Sequence, residues 1–376
     1  MSAAKAKTLG GKILRAILWI ITIILAAFVI FLIVMSVTEY KPAALEKAEL
    51  SNTKEAAPTK TISAGDSFTI MSWNIGYGAL GDNADFFMDG GQMVRTADKA
   101  RVQQNMTAIA DFFKSISPDF AIFQEVDQDS DRSEHIDESV LLSDASAASG
   151  MGAAQTMFGT NYKTLMVPLG WPLYGSIDGG LMSFSTFAVD AAERVSLPNS
   201  YSWPMSLFQL KRCELITRIP VQGTDKQLVI INQHPDAYTD EAHHAAQVAA
   251  ILETLKAEAA KGNYVITGGD WNHTFSNVDT SAYPLYPTTE WVPGFINVED
   301  FGEGWQFVMD SSAPTCRLLD HPLVDAQGVA SNQVIQYYMI DGFIVSDNIR
   351  VDMVKTHDLG FVNSDHNPVV MRVTLL

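Results

Sequence analysis

The sequence predicts an α/β fold in which two β-sheets pack face to face with helices outside, preceded by a single transmembrane helix. Three observations point there. A charge-free run, ILWIITIILAAFVIFLIVMSV, covers residues 17–37. From residue 67 onward, short apolar stretches of strand length recur between turn residues. Few helical segments lie between them, so strands outnumber helices.

At about 1.5 Å per residue, the apolar run is long enough to cross a hydrocarbon core of about 30 Å. Lys5, Lys7, Lys12 and Arg15 precede it and no acid does. The positive-inside bias then leaves residues 1–16 as a cytoplasmic tail and everything after the span outside. A cleaved signal peptide is the competing reading. The run is longer than a usual signal core, and no small-x-small site directly follows it. Residues 38–66 are polar, rich in Ala, Lys, Glu and Thr, and read as a linker or stalk. Residues 67–376 read as one compact domain, without internal repeats. The expectation is a single-pass cell-membrane protein that meets the lipid bilayer through residues 17–37 and holds its domain outside the cytoplasm.

With 47% hydrophobic residues the chain can build a large core, and its 43 acids against 25 Lys and Arg give a net charge of −18. Such a surface repels phosphate polyanions, so nucleic acid is not the favoured partner, a local basic groove aside. Cys213 and Cys316 are too few for a disulfide scaffold and would form one bond or stay free.

In chain order, SFTIMSWNIG reads as a strand. DKARVQQNMTAIADFFKSI reads as an amphipathic helix, with Val102, Met106, Ile109, Phe113 and Ile116 near helical spacing. DFAIFQEV and GGLMSFSTFAV are strands. RCELITRIPV and KQLVIINQH form a hairpin across QGTD. TDEAHHAAQVAAILETLKAEAAKG is a helix with a Thr/Asp start and Gly262 at its end, and YVITGGDWN, YMIDGFIVS and NPVVMRVTL are the last strands.

The ends of these strands carry one kind of side chain. Asn74 ends TIMSWN, Glu125 ends AIFQE, His234 ends LVIINQH, and Asp270 and Asn272 end VITGGDWN. Asp341 opens a strand after YYMI, and Asp365 and His366 stand just before the last strand. Asp270 and Asn272, at alternate positions, would point to one side of the strand. Singly, such residues are ordinary turn formers. As a set they gather carboxylates at one end of a scaffold, where burial is costly without a cation.

The ordered motifs SWNIG, FQEVD, INQH, GGDWN, IDGF and SDHNP resemble those of the endonuclease/exonuclease/phosphatase superfamily, which includes secreted DNases, abasic-site endonucleases, neutral sphingomyelinases and inositol-polyphosphate phosphatases. The match covers roughly residues 66–376, and INQH is a looser version of the family's Asn-Thr-His. The resemblance implies a four-layer α/β-sandwich and divalent-metal phosphoester hydrolysis. It implies that Asp270 activates the attacking water, with Asn272 steadying that water or a phosphate oxygen. Glu125 would bind the metal, helped by Asn74 and Asp365. His366, oriented by Asp341, would face the phosphate, and His234 would stabilise it or protonate the leaving group. Mg²⁺ suits such oxygen ligands, with Mn²⁺ or Ca²⁺ as substitutes, and no Cys/His cluster has zinc spacing.

Other candidates read as structural. Asp82, Asp85 and Asp89 read as a solvated loop near the site mouth rather than a second cation site. His243 and His244 are adjacent on a helix and cannot share one target. Arg132 reads equally as a phosphate clamp or an ion-pair partner. SYSWPMSLFQLKR reads as core and loop packing, with a lipid-facing lip as the alternative. The expected activity is hydrolysis of a lipid or small phosphoester. A nuclease is the first alternative, although Asp127 stands where secreted DNases carry Arg. A non-catalytic binding module is the second, although no motif position is lost.

Overall fold

The computed structural model describes residues 2–199, 201–287, 291–325 and 327–376. Helix α1 covers Ser2–Val37. Its Gly11–Val37 stretch is long and apolar enough to cross a membrane, and its most apolar 18-residue window, of mean hydropathy 3.3, is not covered by the rest of the protein.

Residues 38–66, expected as a free linker, are sewn onto the domain. Leu45–Lys47 pairs with Ala191–Ser196, Glu49–Asn52 pairs with Gln155–Val167, and Ile62–Ser63 runs beside Cys213–Gln222. The first two strands are short and mostly exposed edge strands. Main-chain hydrogen bonds hold such edges, so a polar composition does not reveal them.

Four layers follow from how the apolar strands bury both faces. One sheet runs Ile349–Thr356, Val369–Leu375, Ser67–Asn74, Phe120–Asp127, Gly175–Ser185, Gln155–Val167, Glu49–Asn52. The other runs Leu45–Lys47, Ala191–Ser196, Cys213–Gln222, Gln227–Gln233, Tyr264–Asp270, Asp341–Ser346, Trp305–Val308. Between them lie Phe68, Ile70, Phe120 and Ile122 against Leu215, Ile230, Ile266 and Phe343. The neighbouring residues point outward. Met71, Trp73 and Phe123 meet Val102, Met106, Ile109 and Phe113 of α2 (Lys99–Ile116) and Leu142 of α3 (Glu138–Ala148). Val229, Ile231, Val265 and Ile344 meet Ile251 and Leu255 of α4 (Glu241–Ala259). Two-sided burial is why these strands read as continuous apolar runs rather than alternating ones.

The helix starts expected from sequence are capped: the Asp98 side chain accepts from Arg101 N–H and the Asp240 side chain from His243 N–H. Helix α3 and the Gln155–Val167 strand fall in the stretch after Arg132 that the sequence left unread. Cys213 and Cys316 are both buried and free.

Each sheet holds a long parallel pair near its centre: Ser67–Asn74 with Phe120–Asp127, and Gln227–Gln233 with Tyr264–Asp270. Parallel strands end on the same side, so both pairs deliver their carboxyl ends to one end of the sandwich. Asp341 begins a strand antiparallel to Tyr264–Asp270, and Val369–Leu375 runs antiparallel to Ser67–Asn74. Their amino ends therefore arrive at that same end.

Candidate active site

All eight residues singled out from the sequence are brought to this end of the sandwich. Glu125, His234, Asp270, Asn272, Asp365 and His366 line a cavity of about 430 Å³. Asn74 and Asp341 stand behind it, each bonded to a lining residue.

Two backbone departures aim the side chains. Glu125 has φ 56°, and strand pairing slips between Phe123 and Val126, so a bulge turns its carboxylate out of the sheet into the cavity. The strand bearing Asp270 stops there. Asn272 lies beyond it at φ 52°, its N–H donating to Asp270 Oδ1 at 2.8 Å and its amide to Pro235 O at 3.0 Å. The expected strand-face alignment of Asp270 and Asn272 is thus replaced by a left-handed turn folded back on the carboxylate. The glycines just before have a steric reason. A Cβ on Gly269, at φ 143°, would fall 2.0 Å from Gln233 O of the parallel neighbour, and one on Gly268 would fall 2.4 Å from the Phe343 ring.

Asp270 is the hub. Its Oδ2 accepts from Asn74 Nδ2 at 3.0 Å and lies 3.4 Å from His234 Nε2 and 3.5 Å from His366 Nε2. Asn74 Nδ2 also reaches Glu125 Oε1 at 3.2 Å, while Asn74 Oδ1 accepts from Gly76 N–H. Asn74, expected among the metal ligands, therefore braces two carboxylates with its amide. His366 Nδ1 pairs with Asp341 Oδ2 at 2.9 Å, the orienting contact expected from sequence.

The two histidines carry opposite charge states. Burial, reinforced by Arg212, His366 and Arg132, holds His234 well below the ordinary imidazole value, so it is neutral at pH 7. Burial also disfavours a charged His366, but Asp341, then Cys316, Asp270 and Asp365, outweigh it and keep it protonated. Burial pushes Asp270 up to about 6 and Asp365 up to about 7, the nearby His366 only partly offsetting it.

These acids fit a divalent cation. Asp365 Oδ1 and Asp341 Oδ1 are buried with no hydrogen-bond partner among the described residues. Two groups are compact enough to share an ion: Cys316 with Asp365 and His366, and Asp270 with Asp341 and His366. Burial pushes the Cys316 thiol up to about 12. Unpaired buried carboxylate oxygens are the donors a hard cation takes, and such a cation would lower their cost of ionisation.

Several lining residues were missed or set aside on sequence. Arg132 is buried, gripped by both oxygens of Asp127 at 2.9 Å, hydrogen-bonded to Tyr174 and stacked 3.9 Å from the centre of the Tyr77 ring. Asp127 therefore has a structural task, to hold Arg132 at the cavity wall. Asp89, expected in a solvated loop, is buried at that wall, bonded to Tyr238 and raised to about 6 by burial. Asp82 pairs with Arg101, and Asp85 caps the N–H groups of Gln92 and Met93. His243 and His244 do face different targets, Asp236 and the Trp271 carbonyl.

The profile of the endonuclease/exonuclease/phosphatase family matches residues 71–366. The chain belongs to this family. Its members generally depend on a divalent metal, and the protein is a phosphoester hydrolase. No curated protein matches it significantly. Among solved structures it is similar to an endonuclease/exonuclease/phosphatase from Beutenbergia cavernae, at 19% identity and TM-score 0.54, over 82% of this chain and 72% of that one. It is also similar to the human Nocturnin catalytic domain with bound sulfate (15%, TM-score 0.49, 88% and 98%) and to D. rerio TDP2 with a single-strand DNA product (14%, TM-score 0.49, 82% and 99%).

Proposed function

We propose that the protein is a membrane-anchored, Mg²⁺-dependent hydrolase of a lipid or small phosphoester, working by in-line attack of a water activated by Asp270. The observation that carries the reading is the Asp270 carboxylate itself: buried, braced by Asn74, and flanked by one neutral and one protonated histidine. A base with a value near 6 is matched to taking a proton at neutral pH.

Glu125 and Asp365 would hold the cation, with Asn74 keeping Glu125 in place. Bound there, a divalent cation would supply positive charge to a phosphoryl oxygen. The chain's own residues do the rest. Asp270 orients the water and receives its proton as the water oxygen bonds to phosphorus. The ester P–O bond opposite breaks and the leaving oxygen takes a proton from solvent on its own side, while the His366 cation, beside Asp270, faces the charge that builds on the phosphoryl oxygens. Asp341 holds His366 in place through Nδ1. His234 donates a hydrogen bond without adding charge. Asn272 keeps Asp270 turned into the cavity through its N–H. The acidic surface favours small and lipid phosphoesters over polyanionic nucleic acid.

The test uses the full chain in nanodiscs and a soluble phosphodiester, bis(p-nitrophenyl) phosphate. Cleavage is expected with Mg²⁺ and not with EDTA, and Asp270→Asn is expected to abolish it. Cleavage that survives both treatments would overturn the reading.

A further inference from the structure

One residue of the catalytic cavity wall, Phe208, also grips the end of α1. Phe208 lines the cavity, and its ring stacks on Phe31 of α1 with centroids 6.0 Å apart. Beside it Trp203 Nε1 donates to Ser36 Oγ at 3.0 Å, and Met35 is buried. Lys211 then pairs with Glu39 at 3.1 Å, just past the helix. With residues 45–63 already paired into the sheets, no slack segment separates α1 from the domain.

The depth of this contact can be set by helix geometry. Lys12 and Arg15 belong to the cytoplasmic side, and the charge-free residues 17–37 extend about 31 Å at 1.5 Å each, which by itself matches a hydrocarbon core of about 30 Å. Ser36, with Trp203 against it, therefore stands at the outer boundary, and Phe31, with Phe208 against it, about 9 Å inside that boundary.

Two segments join beside this contact, Thr164 Oγ1 of one donating to Leu207 O of the other at 3.1 Å. Residues 164–175 and 197–210 contain no charged side chain in a protein of net charge −18. They present Leu165, Leu169, Trp171, Trp203 and Met205 to the outside, Trp171 being 88% exposed. Leu169 and Met205 also line the cavity, so the apolar collar continues into the catalytic wall. A soluble domain gains nothing by exposing this surface, whereas Trp and Leu side chains are stabilised at a headgroup interface.

We propose that this collar seats the cavity mouth on the outer face of the bilayer, and that the substrate is a lipid phosphoester whose headgroup enters from the leaflet while its acyl chains remain there. This rests on the membrane-anchored hydrolase reading above and names its substrate class. A cavity of about 430 Å³ accommodates a headgroup and not a whole diacyl lipid. Hydrolysis breaks one P–O ester bond of the headgroup phosphate: the water's OH goes to phosphorus and its hydrogen to the leaving alcohol, the headgroup product leaves to the aqueous side, and the acyl-bearing product stays in the leaflet. The water-soluble phosphoesters that compete for this assignment need no collar.

The full chain in nanodiscs tests this with two readouts. In the first, Trp171→Cys carries a nitrobenzoxadiazole label, Cys213 and Cys316 being buried and unreactive. Asp225→Cys carries the same label on the exposed hairpin turn before Gln227–Gln233, at the end of that strand opposite His234. Nitroxide-labelled phospholipids are expected to quench the label at 171 at least about threefold more than at 225; equal quenching overturns the proposal. In the second, Leu165→Ser/Trp171→Ser is compared with the unaltered chain on nanodisc phosphatidylcholine, phosphatidylethanolamine, phosphatidylglycerol and sphingomyelin, and on bis(p-nitrophenyl) phosphate. The variant is expected to lose about tenfold or more on the lipid that is cleaved and to keep its rate on the soluble diester. Mg²⁺-dependent cleavage of the soluble diester with none of the four lipids cleaved overturns the proposal and leaves the hydrolase reading standing. Cleavage of neither substrate class brings down the hydrolase reading, and this proposal with it.

Discussion

Buried acids at the two ends of the sandwich are treated in opposite ways. At the end where the strands begin, Glu258 accepts hydrogen bonds from Arg218, Lys261 and Asn263. Burial alone would raise it, but these partners bring it down to about 2. At the cavity end, Asp270 and Asp365 sit at about 6 and about 7, and Asp365 Oδ1 has no partner among the described residues. One end uses its acids to hold the fold. The other leaves them poorly compensated, which costs stability and provides a base and a cation site.

Substitutions sharpen that contrast. The largest effect is expected at Asp270. Asp270→Asn should lower the hydrolysis rate by about 10³-fold or more, yet leave the melting temperature at pH 7.5 unchanged or higher, because it removes a poorly compensated buried charge. A clear drop in melting temperature would place Asp270 with the fold-holding acids.

Next is the cation. Mg²⁺ at about 100 times its dissociation constant should stabilise the protein by about 2.7 kcal/mol in thermal unfolding. Glu125→Gln should shrink that increment, whereas Glu258→Gln should leave it intact.

Glu258→Gln should cost about 1–3 kcal/mol in urea unfolding, the scale of charge-assisted hydrogen bonds, with kcat and KM unchanged. Altered kinetics would break the division between the two ends.

The last contrast concerns Glu214, buried between the sheet and α4, whose Oε2 accepts from Thr254 while Oε1 lacks a partner among the described residues. Burial raises it to about 8 from 4.5, so the folded state holds a proton that the unfolded state releases. Its contribution is fully present below about pH 4.5 and is lost as pH rises through about 8. Stability measured by unfolding between pH 5 and 8.5 should therefore fall as pH rises, and Glu214→Gln should flatten that slope.

The primary sequence determined the layers and most of the site. Runs such as LVII and YVIT are apolar on both faces, a pattern that fits strands covered on two sides. Strand-end residues from Asn74 to His366 were legible because the chain must turn there, and those turns repeatedly use side chains that bind phosphate or metal. Tertiary structure alone decided what surrounds them. Arg132 and Asp127 look like a local charge pair in sequence, and only the approach of Tyr77 and Tyr174 makes them a cavity wall. Asp89 becomes buried only when Tyr238, distant in sequence, closes over it. The polar segment 45–63 joins the sheets through main-chain bonds that its side chains do not announce. The apolar run at residues 17–37 and the lip around Trp203 were each visible, but their contact through Phe31 and Phe208 was not. Local pattern encodes which faces are buried. Which distant groups share a cavity, and hence which acids are compensated, is set by long-range packing that no window of sequence contains.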